Sequence, residues 1–174
     1  MLTREGDLIR TKANVVFDVK GTVHPKDKVI AFPRFIPQAD GARKANNTTY
    51  GKVYSLNERF AYLQKHHPDL IVFDPVFGET LCEVPIDQIV EVYKPTDKLT
   101  QLRESKNRTP LEEKAYRLAA TLKEKADIPW SAIGISGSIM AGLTTDTSDI
   151  DPLVYGIENS QKAYTALQEL RETE

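Results

Sequence analysis

The sequence predicts an α+β protein: a β-rich N-terminal domain over residues 1–95, a linker over 96–108, and an α/β domain with a small mixed sheet over 109–174. Three observations carry this prediction. Period-two alternation of apolar residues dominates the first half. A strongly charged stretch with few large apolar residues follows Pro95. Beyond it, amphipathic helical patterns alternate with short apolar runs.

The composition is that of an ordinary globular protein. Of the 174 residues, 40% are apolar and 28% are charged, and the net charge of −2 gives no global field that would attract nucleic acid or a membrane. No apolar run approaches the roughly 20 residues of a spanning helix, and the N-terminus lacks a signal-peptide core. Cys82 is the sole cysteine, which excludes an internal disulfide. We therefore expect a soluble, cytoplasmic protein without membrane contact.

Strands joined by turns are predicted in the first half. Residues 15–20 alternate with period two and are rich in β-branched side chains, and residues 28–32 form the returning strand. Pro33 and Pro37 either end this strand or place it at a sheet edge. The polar, aperiodic residues 38–52 predict an exposed loop.

A helix is expected next, because Ser55-Leu-Asn-Glu58 is a capping box. Its inward face should carry Leu56, Phe60 and Leu63, and Pro68 should stop it. Short strands are predicted over residues 70–73 and 80–84, whereas residues 86–93 fit either a helix or a strand.

The second half reads as helix, strand, turn with a short helix, strand, helix. The linker carries a short helix at 97–104, and Thr109-Pro-Leu-Glu112 is a second capping box that opens an amphipathic helix. Buried strands are predicted over 133–136 and 150–155. Asn159 or Ser160 caps the last helix.

The chemistry is concentrated between Gly134 and Asp151. Asp149 and Asp151 are expected on a strand, where alternate side chains share a face and can hold magnesium, with Ile150 turned to the core. Two such ions can stabilise the attacking and leaving oxygens of a phosphoryl transfer. Glycine in the Gly137-Ser138 turn lets the backbone approach a phosphate, and the helix that follows directs N–H groups at it. The alternative is that this segment has no ligand and is an ordinary tight turn followed by the polar end of a strand. Asp146 is then interpreted as a surface acid.

This segment resembles the signature of the DNA polymerase β-like nucleotidyltransferase superfamily: Gly-Ser, a glycine a few residues on, then Ser-Asp-x-Asp. The matching residues are Gly137, Ser138, Gly142, Ser148, Asp149 and Asp151. The resemblance implies that Asp149 and Asp151 are catalytic metal ligands for two Mg²⁺ ions, and that Gly137, Ser138, Gly142 and Ser148 bind a nucleoside triphosphate. An acceptor hydroxyl would attack the α-phosphate and expel pyrophosphate. The N-terminal half is similar to the region that precedes this domain in uncharacterised archaeal nucleotidyltransferase-like proteins.

Two departures from the family pattern stand out. Pro152 follows the second Asp and donates no ladder hydrogen bond, so its strand is expected at an edge or distorted. The family usually carries a third carboxylate on a later strand, and this chain ends at Glu174 in the preceding helix. We therefore expect a C-terminally truncated chain without an evident third carboxylate.

Another function is suggested by residues 20–52, which hold seven basic side chains against two acids. A solvated face is the plain interpretation, and contact with nucleic-acid phosphates is the functional one. In the latter case the protein is a non-catalytic nucleic-acid- or protein-binding module on a nucleotidyltransferase-like scaffold. Arg43 and Lys44 would make the contacts, and Tyr50, Tyr54 and Phe35 could stack on bases. The resemblance also implies an antitoxin-like role with a partner chain, as some small family members play.

Overall fold

The computed structural model describes residues 3–45 and 47–172. It divides into two compact units, Met1–Val92 and Tyr93–Glu174, called here the N-terminal and the C-terminal unit. Strands dominate the first unit and helices the second, so the predicted α+β class is confirmed. None of the helices in the described ranges is both long and apolar enough to cross a membrane.

A curled antiparallel sheet forms the N-terminal unit. Over the described residues its strands are β1 (Leu8–Thr11), β2 (Val16–Val19), β3 (Lys28–Pro37), β4 (Arg43–Ala45), β5 (Thr48–Lys52), β6 (Ile71–Asp74), β7 (Glu79–Pro85) and β8 (Ile89–Tyr93). Their order is β4-β5-β3-β2-β1-β8, and β7 pairs with both β3 and β6. The long strand β3 organises the sheet because its start pairs with β7 and its end with β5.

The returning strand β3 runs through Pro33 to Pro37, beyond its predicted end. The sheet accommodates Pro33 by an irregularity: Phe17 of β2 faces Pro33, and Val16 faces Phe35. The register therefore skips Arg34, as at a β-bulge, where a strand bends and one residue is left without a partner.

The prediction of an exposed loop over residues 38–52 is wrong. This stretch contains the β4–β5 hairpin, and β5 pairs with β3 through Phe35↔Lys52 and Pro37↔Tyr50. Its side chains are mostly polar, but the buried Tyr50 anchors the hairpin. Residues 86–93 contain both structures left open: a 3-10 turn over Ile86–Gln88 and then β8.

One helix, α1 (Leu56–His66), packs on this sheet. The predicted capping box is confirmed: the Glu58 amide donates to Ser55 Oγ at 3.2 Å, and the Ser55 amide donates to Glu58 Oε2 at 2.8 Å. These hydrogen bonds from Ser55 lower the pKa of the Glu58 carboxyl. Leu63 is fully buried, but Leu56, predicted on the same face, is 57% exposed in the first turn.

The C-terminal unit contains α2 (Pro95–Glu104), α3 (Pro110–Lys125), β9 (Ile133–Ile135), α4 (Gly137–Ala141), β10 (Pro152–Val154) and α5 (Ile157–Glu172). Strands β9 and β10 form a two-stranded antiparallel sheet. The sequence predicts a small mixed sheet, but the described part of this unit supplies no third strand. The final helix begins at Ile157, slightly before the predicted cap at Asn159 or Ser160.

The segment predicted as a linker belongs to this second core. Helix α2 buries Leu99 and Leu102, three residues apart on one face, and packs on β9. A side chain on Gly134 of β9 would overlap Pro95, so the glycine permits this close approach. The second capping box is also confirmed, since the amide of Glu112 donates to Thr109 Oγ1 at 3.2 Å.

Candidate functional site

The Gly-Ser turn and the second aspartate meet at the end of β9. The amide of Ser136 donates to the carbonyl oxygen of Asp151 at 2.9 Å, which continues the β9–β10 ladder by one step. At the next residue, Gly137, φ is +63°, and a Cβ there would lie 2.8 Å from Asp151 Cγ and overlap Oδ2. The carboxylate of Asp151 therefore lies directly against the α-carbon of Gly137. Only glycine fits this position, for its dihedral and for its lack of a side chain.

Asp149 has a different environment from Asp151. The predicted strand over 150–155 is shorter than expected, because β10 covers only Pro152–Val154. Pro152 has no N–H, so the ladder at its N-terminal end depends on the Asp151 carbonyl oxygen. Asp149 is exposed and precedes the strand, whereas Asp151 is half-buried at its start. Alternation along a strand therefore does not place the two carboxylates on one face.

Ser138 carries a buried hydroxyl without a hydrogen-bond partner among the described residues. The residue is 2% exposed and is the second residue of α4. An unmade hydrogen bond on a buried polar group costs about 1–3 kcal/mol, so such a group is uncommon in a native protein. Its position next to Gly137 makes the Ser138 hydroxyl a candidate hydrogen-bond donor to a ligand of this segment.

Gly142 and Ser148 shape the loop between the two halves of the motif. Gly142 ends α4 in the left-handed conformation at φ +66°, and the amide of Leu143 donates back to the Ser138 carbonyl at 2.9 Å. This is the hydrogen-bond pattern of a Schellman cap. Ser148 Oγ accepts from the Thr145 amide at 2.8 Å, and the Ser148 amide donates to the Thr145 carbonyl at 3.0 Å. Both residues have a structural role that the sequence motif does not reveal.

The segment offers two carboxylates to a metal ion. Across residues 3–45 and 47–172, no group of three or more His, Cys, Asp or Glu side chains could hold one. Magnesium commonly takes one or two protein carboxylates together with substrate phosphates and water. Asp149 and Asp151 are two carboxylates and do not by themselves form an all-protein metal site.

The basic stretch 20–52 is not one uniform surface. Lys20 pairs with Asp18 at 2.9 Å, and Lys28 pairs with Glu83 at 2.7 Å. Arg43 is only 9% exposed, and its guanidinium lies 5.6 Å from the ring centroid of Phe35. Three of the seven basic side chains, including Arg43 of the two expected phosphate contacts, are thus already engaged within the fold.

The aromatic residues of this stretch also differ from the prediction. Phe35 and Tyr50 are buried in the core, so neither can stack on a base. Burial also raises the pKa of the Tyr50 hydroxyl, against the opposing charge of Arg10. Tyr54 is 64% exposed, so its ring is accessible to a base.

Sequence reasoning missed Arg59, which lies on α1 outside the basic stretch. Burial and the nearby charge of Arg34 lower the pKa of its guanidinium, and Asp18 partly offsets them. The proximity of Arg34 and Arg59 arises from packing α1 against the sheet, which no local pattern signals.

Each of the two units carries a surface depression. A shallow depression of about 640 Å³ follows α5 from Gly156 to Thr165, and one of about 310 Å³ lies beside the turn at Asp74. None of the predicted site residues lines either of them.

Comparison with known proteins finds an archaeal relative. The chain is 28% identical over 178 aligned positions to the uncharacterized protein MJ1086 of Methanocaldococcus jannaschii, covering 97% of this chain. The chain spans 52% of the length of that relative. No family model matches the sequence. No solved structure matches it either.

Proposed function

We propose that the C-terminal unit is a nucleotidyltransferase-type domain, which moves a nucleoside monophosphate from a nucleoside triphosphate to an acceptor hydroxyl with the help of magnesium. The observation that supports this most is the contact between Gly137 and Asp151. These residues are separated by a loop, yet the small-residue turn and Asp151 are in contact. Phosphoryl transfer needs such a place, where phosphates and cations are held side by side.

The residues would divide the work as follows. Gly137 would let a triphosphate approach its backbone. Ser138 Oγ, which is buried without a hydrogen-bond partner among the described residues, would donate a hydrogen bond to a phosphate oxygen. Asp149 and Asp151 would hold magnesium together with the phosphates. Bound magnesium supplies charge neutralisation at the attacking and leaving oxygens. Gly142 and Ser148 would keep the intervening loop in shape.

In the proposed reaction, the acceptor oxygen forms a bond to the α-phosphorus, and the bond to the β-phosphate bridging oxygen breaks. The acceptor loses its proton and pyrophosphate leaves. The protein's contribution is alignment and electrostatic stabilisation, because the chemistry requires no covalent step on a side chain. A nucleoside triphosphate substrate is consistent with the cytoplasmic location that we also propose.

Calorimetric titration of the whole chain with each nucleoside triphosphate tests the proposal. We expect binding that requires magnesium and that weakens at least about tenfold in the Asp149→Ala, Asp151→Ala double variant, the loss that about 1.4 kcal/mol of charge-assisted contact represents. Asp146→Ala removes an exposed acid from the same loop and should leave the affinity unchanged. Equal affinities in the wild type and the double variant would contradict the proposal.

A second candidate is a non-catalytic binding module on the same scaffold. It is favoured by the position of Asp149, which is exposed before β10 and does not share a strand face with Asp151. The two functions differ in turnover: an enzyme transfers the label from an α-phosphate-labelled triphosphate to an acceptor, whereas a binding module retains the triphosphate intact.

A further inference from the structure

Two basic side chains lie beside an exposed aromatic ring on the N-terminal unit, and a third lies near one of them. Lys52 Nζ lies 5.1 Å from the ring centroid of Tyr54, and Arg34 Cζ lies 5.9 Å from the same centroid. Arg59, one turn into α1, is close enough to Arg34 for their charges to interact. We call these four residues the Tyr54 cluster.

The backbone around Arg34 and Val53 holds Arg34 close to Tyr54. Arg34 is the residue that the β2–β3 register skips, and it turns instead to the segment after β5. The amide of Val53 donates to the Arg34 carbonyl at 2.9 Å, and Arg34 Nη1 donates to the Val53 carbonyl at 3.4 Å. Irregularities of this kind re-aim side chains and are frequent beside functional sites.

The positive charges of the cluster are only partly offset by the described acids, of which Asp18 acts on Arg59. None of Arg34, Lys52 and Arg59 forms an ion pair within residues 3–45 and 47–172, and Arg59 Nε is buried without a hydrogen-bond partner there. Two acids near the cluster, Asp18 and Glu58, also have other partners.

Asp18 is 2.9 Å from the ammonium of Lys20. Glu58 accepts hydrogen bonds from the Tyr54 amide and from both the amide and the hydroxyl of Ser55. Like charges held together in this way favour an anionic ligand, which would relieve the repulsion between Arg34 and Arg59 and satisfy Arg59 Nε.

The ring of Tyr54 narrows the choice of anion. It is 64% exposed, so most of its surface is open to solvent beside the cations. A bare phosphate or sulfate gains nothing from an aromatic face, whereas an unpaired base can stack on it. In a duplex the base faces are already stacked on their neighbours.

We propose that the Tyr54 cluster binds single-stranded nucleic acid, with phosphodiester groups on Arg34, Lys52 and Arg59 and a base stacked on Tyr54. This site belongs to the N-terminal unit, and the test of it does not depend on the nucleotidyltransferase motif. Lys44, the exposed member of the pair expected from the sequence, is not part of it.

Fluorescence anisotropy with the full chain and labelled oligouridine or oligothymidine of about ten nucleotides tests the proposal. Each of Arg34→Gln, Lys52→Ala and Arg59→Gln should weaken binding. Each should also make the slope of the logarithm of the affinity against the logarithm of the salt concentration shallower by about 0.7. Tyr54→Leu should weaken binding about fivefold or more, whereas Tyr54→Phe, which keeps the ring, should bind normally. The matched control is the Lys26→Ala, Lys44→Ala double variant, which removes two exposed charges from the same unit and should bind like the wild type.

Several outcomes would overturn the proposal. If the control variant weakened oligonucleotide binding as much as the cluster variants do, the attraction would be diffuse and not local. If a duplex bound as tightly as the single strand, or if heparin bound as tightly and Tyr54→Leu had no effect, no base would be stacked on Tyr54. Binding of uridine monophosphate as tight as that of the oligomer would make the site one for free nucleotides.

Lys52→Ala and Tyr54→Leu change side chains at the surface, and melting curves equal to the wild type would show that they report binding and not folding. Normal binding in the Asp149→Ala, Asp151→Ala variant would separate this site from the nucleotidyltransferase motif.

Discussion

The carboxylate of Asp151 rests against the α-carbon of Gly137, where any side chain would overlap it. The contact joins the start of β10 to the start of α4, and glycine is required there for two independent reasons. Its φ of +63° disfavours other residues, and Asp151 occupies the space of a Cβ.

The first prediction separates these two reasons. Gly137→Ala should destabilise the C-terminal unit by about 2–4 kcal/mol, of which about 1–2 kcal/mol is backbone strain and the rest overlap with Asp151. Gly142→Ala is the matched control, because φ there is +66° but nothing lies within 4 Å of a Cβ. Urea unfolding followed by the fluorescence of Trp130, the single tryptophan, measures both. Adding Asp151→Ala to Gly137→Ala should reduce its cost to that of Gly142→Ala. Equal costs of the two single changes would contradict the contact.

The second prediction concerns pH and Glu112 at the start of α3. Burial opposes ionisation of this carboxyl, but hydrogen bonds from Lys98 and from the Thr109 amide and hydroxyl outweigh it and lower its pKa below the ordinary 4.5. A lowered pKa in the folded state means that the unfolded state binds the proton more readily. The resulting stability is present above about pH 4.5 and is lost as the pH falls through the lowered value.

Glu112→Gln should therefore cost about 1 kcal/mol at pH 7 and progressively less below pH 4.5, as measured by Trp130 fluorescence in urea. Glu124→Gln, an exposed change in the same helix, should cost almost nothing at either pH. A cost of Glu112→Gln that stays constant down to pH 3 would exclude the ion pair as its source.

The third prediction tests whether Lys28 serves the fold. Its ammonium lies 2.7 Å from Glu83 Oε2, and the Glu83 side chain is only 5% exposed. Lys28→Met would leave a buried carboxylate without its cation, at a cost of about 1–3 kcal/mol to the N-terminal unit. Lys26→Met, at an exposed position nearby, should cost little.

The buried thiol of Cys82 provides the measurement, because it lies in the core of the same unit and reacts only when that core opens. Faster labelling of Cys82 in Lys28→Met than in Lys26→Met is the expected result. Indistinguishable labelling rates would show that the ion pair does not stabilise the unit.

Local signals in the sequence predicted part of this fold correctly. Both capping boxes start helices because a cap depends on residues only three apart. The β4–β5 hairpin escaped prediction because its polar stretch is ordered by backbone hydrogen bonds to β3, a distant part of the chain. The short helix predicted at 97–104 is present as α2, but the charge of residues 96–108 obscured its place in the core, because its burial depends on two leucines on one face.

The candidate site shows the same division. The motif predicts that Gly137 and Asp151 share a site, and in the structure the two residues are in contact. The expected strand geometry of Asp149 failed because Pro152 delays the start of β10. Arg59 could not be found from sequence, since its approach to Arg34 results from tertiary packing.

Paramagnetic broadening of amide NMR signals tests the central claim most directly. With a nucleoside triphosphate present, added Mn²⁺ in place of Mg²⁺ should broaden the amides of Gly137, Ser138 and Asp151 first, and the Asp149→Ala, Asp151→Ala variant should lose this selectivity. Broadening that is uniform, that centres on other acids, or that is unchanged in the variant would contradict a nucleotide-and-magnesium site at the Gly137–Asp151 contact.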